Sequence, residues 1–228
     1  LFKTNGTVGT LPEGTAISST YEMGFILEDE DRKEHPITCI DLAGELVRCM
    51  YKHDAREPMT DEQKNVLKTL TDILVDNRTD NRKIHFFVIE NGSEDRSYEV
   101  LPQNTNWEAA VTYIQRTGIF KKDTDGLYLL ITKVDKAKAV GKELKEKLSS
   151  YISKNYLGFY NGLKKICKDN EINGGNVEIQ PFTLGTVCFQ NYCKFKDETA
   201  AIIVRTLIKR SYGYKPGKIK NIFDRLKK

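Results

Sequence analysis

Two apolar runs, the first nearly continuous and the second continuous, predict the central strands of a buried sheet. They cover residues 84–89 and 127–131. Continuous apolar runs of this length are typical of strands that are buried on both faces, because a strand with one face in water alternates apolar and polar residues. A further strand is predicted over residues 177–182. Each of these segments is followed by polar or charged residues.

A β-hairpin is predicted near the start of the chain. Residues 21–27 and 37–40 have the composition of strands, and the charged residues 28–33 between them predict an exposed turn. The first twenty residues are rich in Gly and Thr, a composition that favours a loop. The second hairpin strand leads directly into Asp41.

Four segments carry apolar residues at helical spacing. The first begins at Thr60, where Thr60-Asp61-Glu62-Gln63 resembles a capping box. The others cover residues 106–116, 142–165 and 198–210. Buried strands that alternate with helices predict an α/β fold, a three-layer sandwich with a mostly parallel sheet and one antiparallel hairpin.

Ligands of such sheets bind at the carboxyl ends of the strands, and the hairpin is followed there by Asp41-Leu42-Ala43-Gly44-Glu45. The Asp41 carboxylate can hold a water bound to Mg²⁺, and the Gly44 amide can approach a terminal phosphate without steric obstruction. The alternative is a turn at the end of a strand, with Asp41 as its capping residue.

The sequence Thr132-Lys133-Val134-Asp135 follows the second buried strand, and Thr183-Leu184-Gly185 follows the third. The Asp135 carboxylate can accept two hydrogen bonds from the N1–H and the 2-amino group of guanine, which adenine does not offer. The alkyl stem of Lys133 can lie along the plane of the base. The alternative is a βα loop that contains a charged pair.

In this order the three segments resemble the P-loop GTPases of the Ras and translation-factor class. Asp41–Glu45 resembles the D-x-x-G motif of switch II, and Thr132–Asp135 resembles the guanine-specificity motif N/T-K-x-D. Thr183-Leu184-Gly185 resembles a loose version of the S-A-K loop, which contacts the base through a backbone amide. The resemblance covers about residues 15–210. It implies a molecular switch that binds GTP and GDP with Mg²⁺ and hydrolyses GTP.

The resemblance also implies a switch I threonine and a residue that positions water. Thr20 precedes the hairpin where this superfamily places the Mg²⁺-binding threonine, and Thr15, Ser18 and Ser19 are its competitors. Glu45 stands where many of these enzymes have a water-positioning Gln, so it is the candidate catalytic residue. The alternative for Glu45 is an exposed acid at the positive end of the switch II helix.

The phosphate-binding motif G-x-x-x-x-G-K-[ST] is absent from the chain. Because the family places its first strand, P-loop and first helix before switch I, we expect all three to precede Leu1. The alternative is a non-catalytic pseudo-GTPase that acts as a scaffold or a protein-interaction module. We therefore expect a GTPase-like domain over residues 1–211 and a basic tail over residues 212–228.

Composition narrows the range of partners and compartments. The net charge is +4, from 36 basic and 32 acidic residues, which indicates no dedicated nucleic-acid surface. The five cysteines are odd in number and lack CxxC spacing, so we expect reduced, mostly buried thiols in a cytoplasmic protein. Protein partners are expected at the long insertions and the switch loops. The basic tail is a candidate for packing on its own or a following domain, or for membrane contact.

Overall fold

The computed structural model describes residues 20–29, 31–42, 44–75, 82–98, 101–120, 124–188, 192–195 and 198–211. The competing switch I candidates Thr15, Ser18 and Ser19 lie outside these residues, as does the predicted basic tail. Thr20 is the first residue of the first strand.

Strands and helices alternate along the chain. The first half contains β1 (Thr20–Glu28), β2 (Glu34–Leu42), α1 (Glu45–Ala55), α2 (Asp61–Val75), β3 (Lys83–Glu90), β4 (Ser97–Tyr98), β5 (Leu101–Pro102) and α3 (Gln103–Thr117). The second half contains β6 (Thr124–Thr132), a 3₁₀ helix (Val134–Ala137), α4 (Gly141–Asn155), α5 (Leu157–Asp169), a second 3₁₀ helix (Ile172–Gly174), β7 (Glu178–Pro181), β8 (Gly185–Cys188), β9 (Tyr192–Phe195) and α6 (Glu198–Ser211).

The central sheet has three parallel strands in the order β3-β6-β7. Helix α3 connects β3 to β6, and α4 and α5 connect β6 to β7, as parallel pairing requires a crossover between neighbouring strands. Strand β6 lies in the middle, and Leu127, Leu129 and Ile131 are inaccessible to solvent. The predicted α/β architecture with a mostly parallel sheet and an antiparallel hairpin is confirmed.

Helix α2 begins where the sequence predicts. The Thr60 backbone N–H donates to Gln63 Oε1 at 3.1 Å, and the Gln63 backbone N–H donates to Thr60 Oγ1 at 3.2 Å. These reciprocal hydrogen bonds satisfy two backbone donors that would otherwise have no helical partner. The local sequence therefore determines the start of this helix.

The predicted helix over 142–165 is broken at Tyr156. This residue has a non-helical backbone (φ −134°, ψ 30°) and separates α4 from α5. Tyr156 and Phe159 are both fully buried, and the Phe159 ring lies 4.8 Å from the Trp107 ring of α3. The break therefore coincides with aromatic residues that are buried in the core and pack against α3.

The hairpin turn is exposed as predicted at Glu28 and at residues 31–33, but Asp29 is buried. Asp29 is 9% exposed, and its Oδ1 accepts hydrogen bonds from the backbone N–H groups of Asp31 and Lys33, each at 2.9 Å. Its Oδ2 lies 2.8 Å from Nε2 of His35, which is 1% exposed. The acid is buried because the turn supplies these partners, so its charge was a misleading signal of exposure.

The expectation that the strand over 84–89 is buried on both faces is wrong in part. Only Ile89 is fully buried, and Val88 is 50% exposed. Within the described residues, β1 and β2 pair with each other and neither is hydrogen-bonded to the three-stranded sheet. Strand β3 therefore has β6 on one side and an open cleft on the other.

This cleft, which we term the β2–β3 cleft, has a volume of about 2080 Å³. Consecutive residues line it on both sides, 36–42 of β2 on one side and 82–88, which are Arg82 and the first six residues of β3, on the other. Since neighbouring residues of a strand point to opposite faces, consecutive lining residues mean that the edges of both strands border the cleft. Its other walls come from α1 and α3 (Leu46, Met50, Trp107, Ile114) and from α2 and α6 (Leu70, Leu74, Ile203, Leu207).

Three described cysteines are free thiols. Cys49 and Cys167 are buried, as predicted, and burial raises the pKa of the Cys167 thiol to about 11. Cys39 is exposed on β2, so two of the three described thiols are buried. None of the described helices combines the length and the apolar character needed to cross a membrane.

Candidate functional site

The carboxyl ends of the three parallel strands meet at one edge of the sheet. Glu90 at the end of β3 is in register with Thr132 at the end of β6. Backbone hydrogen bonds continue beyond the strands, because Asn91 N–H donates to the Thr132 carbonyl at 3.0 Å and Val134 N–H donates to the Phe182 carbonyl at 3.4 Å. The loops that follow β3, β6 and β7 are thereby fixed beside one another.

Two of the sequence-predicted segments are in direct contact at this edge. The Thr183 hydroxyl donates to Asp135 Oδ1 at 3.0 Å, and Gly185 N–H donates to the same hydroxyl oxygen at 3.1 Å. Thr183 is itself held by Thr199 of α6, whose hydroxyl oxygen lies 3.0 Å from both the Thr183 nitrogen and the Thr183 carbonyl oxygen. Asp135 is exposed, so its carboxylate can accept hydrogen bonds from a ligand.

Lys133 occupies a conformation that non-glycine residues seldom adopt. Its φ is 54° and its ψ is 39°, in the left-handed region, directly before the 3₁₀ helix that contains Asp135. Its Nζ lies 2.9 Å from Glu90 Oε1. Thr132, the residue before it, is half-buried, and its hydroxyl donates to the Ile89 carbonyl at 3.4 Å. Thr132 therefore anchors this loop to β3, and Lys133 turns the chain away from β6.

The third predicted segment is partly accessible. Leu184 is 38% exposed, and Gly185 has a φ of 91°, which L-residues with side chains rarely adopt. Glycine at this position lets the chain turn from Thr183 into β8. The segment thus places a hydroxyl and backbone groups beside Asp135.

Glu90 is a site residue that the sequence reasoning missed. Its carboxylate lies within 3.3 Å of three cationic groups, those of Lys133, Lys136 and Arg96, and its side chain is 16% exposed. Burial would raise the pKa of Glu90, but hydrogen bonds from the two lysines and the charge of Arg96 outweigh burial and hold the pKa below its ordinary value. Glu90 comes directly after the apolar run over residues 84–89, but its cationic partners are not apparent from the sequence.

The remaining predicted residues lie at the open end of the hairpin. Thr20 pairs with Leu42, and Tyr21 pairs with Asp41, so Thr20 and Asp41 are on adjacent strands one register position apart. Asp41, Gly44 and Glu45 all line the β2–β3 cleft. The structure therefore brings Asp41, Gly44 and Glu45 together at one cleft.

Gly44 and Glu45 mark the start of α1. Gly44 is exposed, and no atom lies within 4 Å of the position that a Cβ would occupy there. The space on the Cβ side of Gly44 is therefore open. Glu45 is exposed in the first turn of α1, a position that suits both the water-positioning role and the alternative of an acid beside the helix dipole.

Mg²⁺ binding stays a prediction. Within the described residues, no three His, Cys, Asp or Glu side chains are grouped so that they could hold a metal ion. A Mg²⁺ ion that accompanies a nucleotide needs only one or two protein ligands, because phosphates and waters supply the others. Asp41 beside the open space at Gly44 fits that arrangement.

No protein-family model, curated protein or solved structure matches the chain. The chemistry and geometry of these residues are therefore the basis for its function.

Proposed function

We propose that this chain is the guanine-recognising part of a GTP-binding and GTP-hydrolysing switch of the P-loop GTPase class. The observation that carries the proposal is the hydrogen bond between Thr183 and Asp135 at the carboxyl edge of the sheet. It joins two segments that the sequence pattern independently associates with the base.

The chemistry of Asp135 favours guanine over adenine. An exposed carboxylate has lone pairs for two N–H donors, and guanine offers such a pair in its N1–H and 2-amino groups. The Thr183 hydroxyl restrains the orientation of the carboxylate before a ligand arrives, which reduces the entropy lost on binding. Lys133, whose ammonium is held at Glu90, provides methylene groups against which a base can lie.

The β2–β3 cleft supports the phosphate-binding half of the proposal. A strand inserted there can hydrogen-bond to the edges of both β2 and β3, as extended segments do at open sheet edges. Its alternate side chains would face the apolar walls from α1 and α3 and from α2 and α6. A P-loop after such a strand would bring the nucleotide phosphates to Asp41 and Gly44.

In the proposed switch, the γ-phosphate is sensed at the cleft. Asp41 and Thr20 serve Mg²⁺, the Gly44 amide binds the γ-phosphate, and Glu45 orients water. Hydrolysis removes the contact at Gly44, directly before α1. Because Leu46, Cys49 and Met50 of α1 are buried in the core, a shift of this helix would alter core packing. The negative charge of Glu45 next to the γ-phosphate would make hydrolysis slow.

The alternative of a non-catalytic interaction module is favoured by one observation. Large apolar side chains of the hairpin are exposed, namely Met23 (53%), Phe25 (39%), Ile26 (60%) and Ile40 (42%). The hairpin register places Met23 and Phe25 on one face and Ile26 and Ile40 on the other, so each face carries two of them. Exposed apolar side chains of this kind are found at protein-binding surfaces. Under this alternative the hairpin binds a protein partner and the chain has no nucleotide preference.

Titration of the full-length gene product with GDP and with ADP, both with Mg²⁺, separates the two candidates. The switch requires clear preference for GDP, and Asp135→Ala should abolish that preference. Asp169→Ala, which removes a surface acid of α5, is the matched control and should leave it intact. Equal affinity for the two nucleotides would reject the proposed function.

A further inference from the structure

Glu90 is the centre of a charge cluster that connects β3 to β6. Its Oε1 lies 2.9 Å from Lys133 Nζ and 3.2 Å from Lys136 Nζ, and its Oε2 lies 3.3 Å from Arg96 Nη1. The three cationic side chains are each about half exposed, whereas Glu90 is 16% exposed. The carboxylate is thus the least exposed member of the cluster, and the cations are arranged around it.

The loop after Glu90 is fixed from several directions. Ser93 Oγ lies 2.7 Å from the Glu90 carbonyl oxygen and 2.7 Å from Gln103 Oε1. The Tyr151 hydroxyl of α4 lies 3.2 Å from the Glu90 carbonyl and 2.7 Å from Glu94 Oε2, and it accepts from Gly92 N–H at 3.1 Å. These contacts hold the backbone at Glu90, so its carboxylate has a defined position.

The position of Glu90 determines the path of the Lys133 side chain. Lys133 leaves the sheet after β6, and its ammonium lies at the end of the neighbouring strand β3. The four methylene groups therefore run from one strand end to the next along the edge of the sheet. The left-handed backbone at Lys133 fixes the origin of that path.

We propose that Glu90 is a positioning residue of the guanine site, which fixes the Lys133 side chain as one wall of the base pocket. This inference rests on the proposed function. Glu90 does not contact the base; it acts through Lys133. Without Glu90, the flexible lysine side chain would sample several rotamers, and ordering it on the base would reduce the affinity.

Loss of Glu90 should have two different effects on nucleotide binding, one through charge and one through the position of Lys133. Loss of Glu90 leaves three uncompensated cations, which should strengthen the attraction to nucleotide phosphates irrespective of the base. Loss of the ordered Lys133 wall should weaken the preference for guanine. We expect Glu90→Ala to lower the ratio of GDP to ADP affinity roughly tenfold, with Glu90→Gln intermediate because it keeps a hydrogen-bond acceptor.

The test is titration of the full-length gene product and its variants with GDP and ADP. Glu94→Gln is the matched control, since it removes a negative charge from the same loop but contacts Tyr151 and not Lys133. A double-mutant cycle adds Glu90→Gln to Lys133→Ala. If Glu90 acts through Lys133, Glu90→Gln should cause no further loss of discrimination in the Lys133→Ala background.

The outcomes distinguish this inference from the proposed function. If the unaltered protein does not prefer GDP, the proposed function fails and the role of Glu90 fails with it. If it prefers GDP and Glu90→Gln or Glu90→Ala retains the full preference, only the role of Glu90 is overturned. It is also overturned if Glu94→Gln loses as much guanine preference as the Glu90 variants do. The same holds if Glu90→Gln lowers the preference of Lys133→Ala as much as it lowers that of the unaltered protein. Two results together support it. The Glu90 variants lose guanine preference while Glu94→Gln keeps it, and Glu90→Gln causes no further loss when it is added to Lys133→Ala.

Discussion

The Thr183 hydroxyl donates a hydrogen bond to the Asp135 carboxylate at 3.0 Å, across 48 positions of the sequence. Neither residue is on a regular strand. Both follow strands of one parallel sheet, and neighbouring parallel strands bring the residues after them to the same edge. The hydrogen bond joins the segments 132–135 and 183–185 in one candidate site and restrains the Asp135 carboxylate.

Removal of the Thr183 hydroxyl should weaken guanine binding by the full-length protein. Thr183→Val keeps the shape of the side chain but loses the bond to Asp135 and the acceptor for Gly185 N–H. We expect GDP affinity to fall roughly tenfold, which corresponds to the loss of one hydrogen bond to a charged group, and Thr183→Ser to retain most of it. Calorimetric titration measures both. Unchanged affinity in Thr183→Val would show that the bond has no role in binding.

The 228-residue chain by itself should bind GTP poorly or not at all. It contains no G-x-x-x-x-G-K-[ST] motif, and that loop supplies the phosphate cradle and the lysine in the class it resembles. Fluorescence titration with a labelled GTP analogue and Mg²⁺ provides the measurement. Tight, Mg²⁺-dependent binding by this chain would contradict the assignment of the phosphate site to a further strand and loop.

Hydrogen exchange should reveal the open edge of β3. Among the residues that the structure describes, β6 is hydrogen-bonded to a strand on each side, whereas β3 is hydrogen-bonded only to β6. About half of the β3 amides should therefore exchange rapidly, because amides alternate in direction along a strand. In the full-length gene product the same amides should be protected if a strand occupies the β2–β3 cleft. Equal protection of β3 in both proteins would argue against the inserted strand.

The stability of the hairpin turn should depend on pH through Asp29. The hydrogen bond to His35 and those from the Lys33 and Asp31 backbone lower the pKa of Asp29 in the folded protein. A depressed pKa means that the ionised group contributes stability above the unfolded value of about 3.9, and that this contribution is lost as the pH falls through the lower folded value.

As the pH is lowered from about 5 to about 3, the free energy of unfolding should therefore fall less for Asp29→Asn than for the unaltered chain. Urea midpoints measured by circular dichroism at several pH values provide the comparison. Asp31→Asn, at an exposed position of the same turn, is the control and should keep the pH dependence of the unaltered chain. Identical pH profiles for Asp29→Asn and the unaltered chain would mean that the buried pair does not stabilise the fold.

Local sequence patterns predicted the elements whose causes are local. The capping box at Thr60 gave the start of α2 to within one residue, and the apolar run over 127–131 identified the central strand β6. The order of strands and helices was sufficient for the α/β class. The carboxyl ends of parallel strands meet at one edge of a sheet, so residues after β6 and β7 are expected to lie close together. The hydrogen bond between Thr183 and Asp135 confirms that they do.

Features that depend on distant packing were not predictable. The break at Tyr156 coincides with packing of the neighbouring Phe159 against Trp107 of α3. The burial of Asp29 has local causes, His35 and the backbone of its own turn, but the charged composition of that turn does not indicate it. The separation of the hairpin from the sheet has no local signal, since β3 has the composition of a strand buried on both faces. The role of Glu90 is not predictable because no residue near it in sequence indicates that Lys133 and Lys136 lie against its carboxylate.

The most direct test of guanine recognition is the base preference of Asp135→Asn in the full-length gene product. The change replaces a carboxylate with an amide, which can donate to the 2-oxo group that xanthine has in place of the 2-amino group of guanine. Loss of two charge-assisted hydrogen bonds should cost about 3 kcal/mol, on the order of a hundredfold in GTP affinity. Parallel titrations of GTP and XTP should show preference shifting from GTP in the unaltered protein toward XTP in Asp135→Asn. An Asp135→Asn protein that discriminates GTP from XTP as the unaltered protein does would contradict the assignment of residues 132–135 to the base.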